Sequence, residues 1–227
     1  MSMHKRFKRK DLRQKRLKPK SLKRICQLLL MAIITAGCLY VQTDTIFAVS
    51  NVVIVIDPGH GGPGLKDEQE LGAKYNGVFE KDLTLITANA MKAELEQYGN
   101  VTVYMTRTTD QPLSLADRAD FAASVGATAV ISIHYNASAE HNFYGAEVFA
   151  SAFGQNHATG YGLGTCLLNQ LTADGAADKG VKTRIGNSGN DYYGIIRRGT
   201  AYQIPTVIVE HAYIDNDTDW SRIGNVE

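Results

Sequence analysis

A chain of 227 residues, 44% of them hydrophobic, is long enough for one domain of ordinary size with a full core. Its formal net charge of +1 hides two opposed parts. Residues 1–24 hold 12 of the 24 Lys and Arg with a single acid, Asp11, whereas residues 49–227 carry the other 12 against 21 Asp and Glu, a net of −9. An acidic domain of this kind speaks against nucleic-acid binding, because phosphate contact needs clustered Lys and Arg.

The basic block, 1–24, reads as a cytoplasmic leader. It precedes Ile25 to Val41, 17 residues interrupted in polarity only by Gln27 and Thr35. That length is long for a signal-peptide core and short for a spanning helix. In either case the cations stay inside and the C-terminal part is exported. Residues 25–48 are therefore expected to be a signal peptide, cut after Ala48, or else an uncleaved anchor. Membrane contact is expected through this segment alone. Cys26 and Cys38 lie within it, which leaves Cys166 as the one cysteine of residues 49–227, so no disulfide can form inside the domain. Cys166 follows the apolar spacing of Leu163, Leu167 and Leu171 and reads as a core residue.

From residue 49 onward, Val52 to Ile56 is an apolar, β-branched run that reads as a buried strand. It stops at Asp57-Pro58-Gly59, and His60 follows between glycines. The stretch to Phe79 shows no periodicity and is expected to be a site loop. Glu80-Lys81-Asp82 opens a helix with Leu83, Ile86, Ala90, Met91 and Leu95 on its apolar side, stopped by Gly99-Asn100. Val101 to Met105 is a second strand. Leu113 to Val125 is a second helix, with Leu115, Ala119, Ala122 and Ala123 facing inward. Ala129 to Ile133 is a strand that ends in His134. Gly145 to Ala150 reads as a short strand, 160–173 as a helix and Gly175 to Tyr193 as a loop at the rim of a site. Ile195-Ile196-Arg197-Arg198 is a strand candidate. Pro205 introduces a last strand, Thr206 to Val209, that ends in Glu210. The alternation predicts an α/β fold: a single domain with a largely parallel mixed sheet flanked by helices.

Three apolar runs thus each deliver a chemically active side chain at the carboxyl end: His60, His134 and Glu210. In open α/β sheets the carboxyl edge is where sites form. Two histidines and a carboxylate are a common catalytic zinc set with one position left to water. By position alone Glu80 reads as an acid complementing the helix dipole.

In order along the chain, the motifs are Val55-Ile56-Asp57-Pro58-Gly59-His60-Gly61-Gly62, Glu80-Lys81-Asp82-Leu83-Thr84-Leu85, Arg118-Ala119-Asp120 leading to Ile131-Ser132-Ile133-His134-Tyr135-Asn136-Ala137, Gly145-Ala146-Glu147-Val148, and Pro205-Thr206-Val207-Ile208-Val209-Glu210 followed by Asn216. Together they resemble the zinc-dependent N-acetylmuramoyl-L-alanine amidases, the family of the cell-wall autolysin catalytic domains, over about residues 51–219. The resemblance implies that His60, Glu80 and His134 are ligands of Zn2+ and that Glu210 is the catalytic glutamate. It implies peptidoglycan as the substrate, cut at the amide between the lactyl group of N-acetylmuramic acid and L-alanine, by a protein acting as a monomer in the cell wall or outside it. A zinc peptidase, a deacetylase acting on cell-wall material and a non-catalytic wall-binding relative are the alternatives.

Two departures stand out. His211 follows Glu210, where many members of the family carry a small or apolar residue. Neighbouring side chains on a strand point to opposite faces, so ligation by both is not expected. The resemblance also implies a further C-terminal helix, which is not expected before Glu227, so the catalytic domain 49–227 is read as truncated. Asp57 is expected either to orient His60 or only to make the turn. Arg197 and Arg198 are candidates to meet substrate carboxylates or to be a solvated edge. His141 and His157 read as solvated.

Overall fold

A computed structural model describes residues 51–63 and 71–224. The leader, the apolar segment and the acids Asp67, Glu68 and Glu70 lie outside the described residues, so those readings are not addressed by it. Among the described residues no helix is long and apolar enough to cross a membrane.

The elements in chain order are β1 (Val52–Pro58), β2 (Lys74–Tyr75), β3 (Val78–Phe79), α1 (Glu80–Leu95), β4 (Val101–Met105), α2 (Leu115–Ser124), β5 (Ala129–Asn136), β6 (Ala146–Phe149), α3 (Gly154–Ala173), β7 (Asp178–Lys182), α4 (Gly194–Ala201), β8 (Thr206–Tyr213) and α5 (Asp217–Ile223). Six strands form one sheet in the order β4-β1-β5-β8-β6-β7. The first four run parallel, β6 pairs antiparallel with β8, and β7 follows β6 in parallel. The predicted α/β sheet is therefore what forms, with its parallel half carrying the three runs that end in His60, His134 and Glu210.

Strand alternation divides the core in two. Ile54, Ile56, Ile131, Ile133, Val207 and Val209 pack under α1 and α3, against Met91, Leu95 and Leu167. Val55, Val130 and Ile208 face the other way, against Ala119 and Ala122 of α2 and Ile195 of α4. Asp57, Ser132, His134 and Glu210 continue this second face to the carboxyl edge. The register Asp57↔Ser132 and His134↔Glu210 sets them side by side. Beyond Glu210 two residues of β5 span three of β8, since His134 pairs with Glu210 and Asn136 with Tyr213. This bulge reverses the alternation and returns Tyr213 to the Glu210 face.

Several expectations are corrected. Ile195 to Arg198 is not a strand. It is the start of α4, which buries Ile195 and Ile196 and turns Arg197 and Arg198 outward, a helical i, i+1 division of a four-residue run too short to reveal its period. The segment 175–193 is not wholly a loop, because β7 extends the sheet within it on an exposed edge where glycine and lysine are tolerated. The loop before Glu80 contains the small β2–β3 hairpin. Ile86 is 45% and Leu115 47% exposed rather than inward, the latter because it lines a groove. A C-terminal helix does follow the last strand. In α5, Asn216 caps the N-terminus through the amides of Thr218 and Asp219, and buried Asp219 accepts from the amides of Gly145 and Tyr213.

Candidate metal centre

The turn after β1 is held from below by two buried arginines. Arg107, 1% exposed, donates to the carbonyls of Pro58, Gly59, Lys81 and Thr109 and to Thr84 Oγ1, at 2.8–3.1 Å. Burial and the charge of Arg118 lower it to about 10, which leaves it charged at neutral pH. Arg118 donates to Asp57 Oδ1 (2.7 Å) and to the carbonyls of Pro58 (2.9 Å) and His60 (2.7 Å). Lys81 donates to the Gly62 carbonyl and pairs with Asp110, whose other oxygen accepts the Gly62 amide. His60 is thereby kept at φ 59°, a left-handed conformation that few residues with a side chain adopt and that often marks a functional position.

Asp57 takes neither of its two expected roles alone. Its carboxylate accepts from Arg118, Thr106 and Ser132 rather than from His60. Burial would raise it, and Arg118 with the two hydroxyls outweighs burial and holds it below the usual carboxylate range. It acts on His60 at one remove, through the arginine that grips the His60 carbonyl.

Glu80 is the first residue of α1 and is 4% exposed. Its Oε2 accepts the Ala73 amide (2.7 Å) and lies 3.2 Å from His60 Nε2. Its Oε1 accepts the Tyr135 amide (3.0 Å) and lies 3.0 Å from His134 Nδ1. Burial would raise this carboxyl, but the contacts with His134 and His60 outweigh burial and hold it well below its ordinary value. The two imidazole rings meet edge to face at 4.9 Å between centroids. Two glycines make the assembly possible. A Cβ at Gly59 would fall 2.4 Å from the His134 ring, and one at Gly72 would fall 2.4 Å from Glu80 Oε2 and 2.7 Å from His60.

One atom from each of His60, Glu80 and His134 lies within 4.8 Å of the others, a group that could hold a metal ion. Bonds of about 2.0–2.1 Å at tetrahedral angles set ligand atoms roughly 3.3 Å apart, which lies inside the 4.8 Å bound on these three atoms. No other such group of three occurs among the described residues.

Glu210 stands on the neighbouring strand, opposite His134 on one side and Glu147 on the other. Among the described residues its buried Oε2 has no hydrogen-bond partner. Burial, then the charges of Glu80 and Glu147, raise its carboxyl well above the usual range. Glu147 is itself buried and satisfied. It accepts from Asn136 (3.1 Å), from the Tyr213 hydroxyl (3.2 Å) and from Lys182. His211 points to the opposite face, where its ring stacks on Tyr135 at 5.5 Å and borders a small cavity with Met91, Ile131 and Leu167. Alternation thus separates His211 from the cluster. His141 pairs with Asp215 at 2.8 Å and His157 with the Ser151 carbonyl at 2.8 Å, so neither is merely solvated.

An open groove of about 630 Å³ leads away from His60 and His134, between Leu113 and Leu115 at the start of α2 and Ile195 of α4. Of the residues that hold this edge together, Lys81 and Glu147 stand inside motifs quoted from the sequence with no role given to them there, and Arg107 and Asp110 stand outside those motifs.

The sequence profile of the N-acetylmuramoyl-L-alanine amidase family matches residues 54–226. The N-acetylmuramoyl-L-alanine amidase CwlM of Bacillus licheniformis is 46% identical over 93 residues, 40% of this chain and 34% of that protein. LytC of Bacillus subtilis (strain 168), also an N-acetylmuramoyl-L-alanine amidase, is 33% identical over 171 residues, 75% of this chain and 31% of its own length. This chain therefore spans about a third of the length of these two relatives. Among solved structures, Cwp6 from Clostridium difficile superposes with a TM-score of 0.67 at 29% identity, covering 79% of this chain and 28% of that one.

Proposed function

This chain belongs to the N-acetylmuramoyl-L-alanine amidase family, and from that premise we propose that it is a zinc-dependent hydrolase of peptidoglycan, cutting the amide between the lactyl group of N-acetylmuramic acid and L-alanine. The observation that carries the reading is one constellation: His60, Glu80 and His134 converge while Glu210, one strand away, stays outside them with a buried, unpartnered oxygen.

The donor set suits zinc. Two neutral imidazoles and one carboxylate leave a single net positive charge and room for a fourth partner. An ion held by these three residues supplies Lewis acidity to a water and to the amide carbonyl. The remaining work falls to the chain. Glu210 takes the proton of the attacking water and delivers it to the amine of L-alanine as the C–N bond breaks, so no covalent enzyme intermediate is required. A carboxylate raised above its ordinary range is a better proton acceptor near neutral pH than a free glutamate. Arg107, Arg118 and Asp57 keep the His60 turn in place, and the amides of Ala73 and Tyr135 orient both oxygens of Glu80. The open groove past Leu113 and Leu115 gives a substrate access to His60 and His134. The basic block followed by an apolar run at residues 1–41 supports export to the side of the membrane where peptidoglycan lies.

The test is metal content together with product analysis on purified cell wall. About one zinc per chain is expected, with lysis lost on chelation, restored by zinc, and accompanied by new L-alanine amines. Release of acetate in place of those amines, or lysis unaffected by Glu210→Gln, would sink the reading.

A further inference from the structure

The domain is acidic, yet its positive charge is gathered in one place. Five of the twelve Lys and Arg of residues 49–227 fall within 179–198, namely Lys179, Lys182, Arg184, Arg197 and Arg198, and Asp191 is the one acid there. Asp191 is buried and occupied by Ser151 Oγ and the Ala152 amide, both at 2.8 Å, and by Thr200 Oγ1 at 3.2 Å. Arg107, Arg118, Lys81 and Arg222 are committed to carbonyls and carboxylates of the interior.

The basic stretch folds into a small hairpin. The Tyr192 amide donates to the Arg184 carbonyl and the Gly186 amide to the Asn190 carbonyl, each at 2.8 Å. The Arg184 guanidinium lies 3.6 Å over the Tyr192 ring, and its charge is near enough to the Tyr193 phenol to oppose the rise that burial gives it. Tyr193 packs on Phe149, centroids 4.6 Å apart, on the sheet face that carries Glu210 and Glu147, and its phenol is close enough to feel both carboxylates. Arg197 Nη1 donates to the carbonyls of Asp191 (2.7 Å) and Tyr192 (3.1 Å), which fixes its planar head. Its Nη2 is 3.7 Å from the point where a Cβ at Gly194 would stand, and that point is 2.5 Å from Leu115, which lines the groove. Lys182 closes the row on Glu147.

We propose that Arg184 and Arg197, backed by Lys182, form a carboxylate subsite beside Glu147 and the Leu115 wall of the groove, which receives an acidic group of the peptide being released. The inference rests on the amidase reading for what occupies the groove. The peptide freed by that cut begins at the L-alanine amine, next to Glu210, and ends in a carboxylate. Guanidinium forks held flat by an aromatic ring and by backbone carbonyls are suited to planar, two-point recognition of that group.

The probe is a pair of soluble muramoyl-peptides that are identical except that the carboxylates of one are carboxamides in the other. Binding to the zinc-loaded chain and cleavage of the lactyl amide are read in the same samples. The carboxylate form is expected to bind about tenfold more tightly, roughly the contribution of one charge-assisted hydrogen bond, and the gap should narrow as salt is added. Arg184→Gln should erase most of the gap, while Arg198→Gln, at a residue whose charge lies by Tyr202 instead, should leave it intact. Equal binding of the two forms by the unaltered chain, or a full gap in folded Arg184→Gln, overturns the proposal. Cleavage without a preference defeats the subsite alone. A preference without cleavage of either form defeats the amidase reading and leaves the subsite standing. If Arg184→Gln does not fold, the unaltered chain's own preference and its salt dependence decide.

Discussion

The two glutamates of the centre both neighbour His134 and are held in opposite ways. Around Glu80 every polar demand is met. Each carboxylate oxygen has a backbone amide and an imidazole, and the turn carrying His60 is gripped by two buried arginines. Around Glu210 one buried oxygen is left without a partner among the described residues, and two neighbouring carboxylates push its proton affinity upward. The difference teaches a division of labour. A saturated network has one geometry and suits holding, whereas an undersatisfied carboxyl can exchange a proton without dismantling its surroundings.

The comparison is broken most completely on the saturated side. Glu80→Ala should abolish metal retention and lytic activity together, as seen by elemental analysis of the purified protein, because it removes the carboxylate that both imidazoles contact. Glu210→Gln should separate the two readouts. Metal content should stay near that of the unaltered chain while the rate of amide cleavage falls by about 10³-fold, within the range for loss of a general acid–base. The same asymmetry has a pH signature. Glu210 accepts a proton only when ionised, and its carboxyl is raised, so activity should fall as pH drops through a midpoint above the ordinary carboxylate range. A pH–rate profile with its acid limb at the value of a free glutamate would contradict the assignment.

A smaller and purely structural effect is expected at Arg107→Leu, which removes one donor from each of the carbonyls of Pro58, Gly59, Lys81 and Thr109. About 3 kcal/mol of stability should be lost, read by denaturant unfolding. The mildest test concerns His211, on the far face. Burial, aided by the charge of Arg222 and opposed by a backbone contact at Val209, lowers its imidazole to about 4. The unfolded chain takes up the proton first, near 6.5, so stability should decline as pH falls from there towards 4, by roughly 3 kcal/mol at most. His211→Phe should flatten that slope and leave cleavage at neutral pH largely intact. An unchanged slope would place the titration elsewhere.

Much of this was legible in the chain. β1, β5 and β8 are built on apolar runs, and a period of two leaves little choice about where their ends point. His60, His134 and Glu210 could therefore be expected on one edge if the three strands were parallel neighbours, a condition that the sheet order meets. Glu80 was ambiguous, since an acid in the first turn of a helix has a sufficient local reason to be there. Only contact across 54 residues, with His134, gives it another. Ile195 and Ile196 misled because two adjacent apolar residues satisfy a strand and a helix equally. β7 was hidden because an edge strand needs no apolar alternation.

What the sequence by itself determined is local. It marked which runs must be buried, where glycine and proline end them, and which reactive side chains those ends carry, because periodicity and turn chemistry act over a few residues. The tertiary structure decided everything that depends on distant partners. It brought Glu80 between two imidazoles, turned Asp57 away from His60 to Arg118, gave α4 rather than a strand to residues 194–201, and set Glu147 beside Glu210. Charge, hydrogen bonding and burial between segments far apart in sequence have no period to read, and they become determined only when the sheet order places one strand beside another.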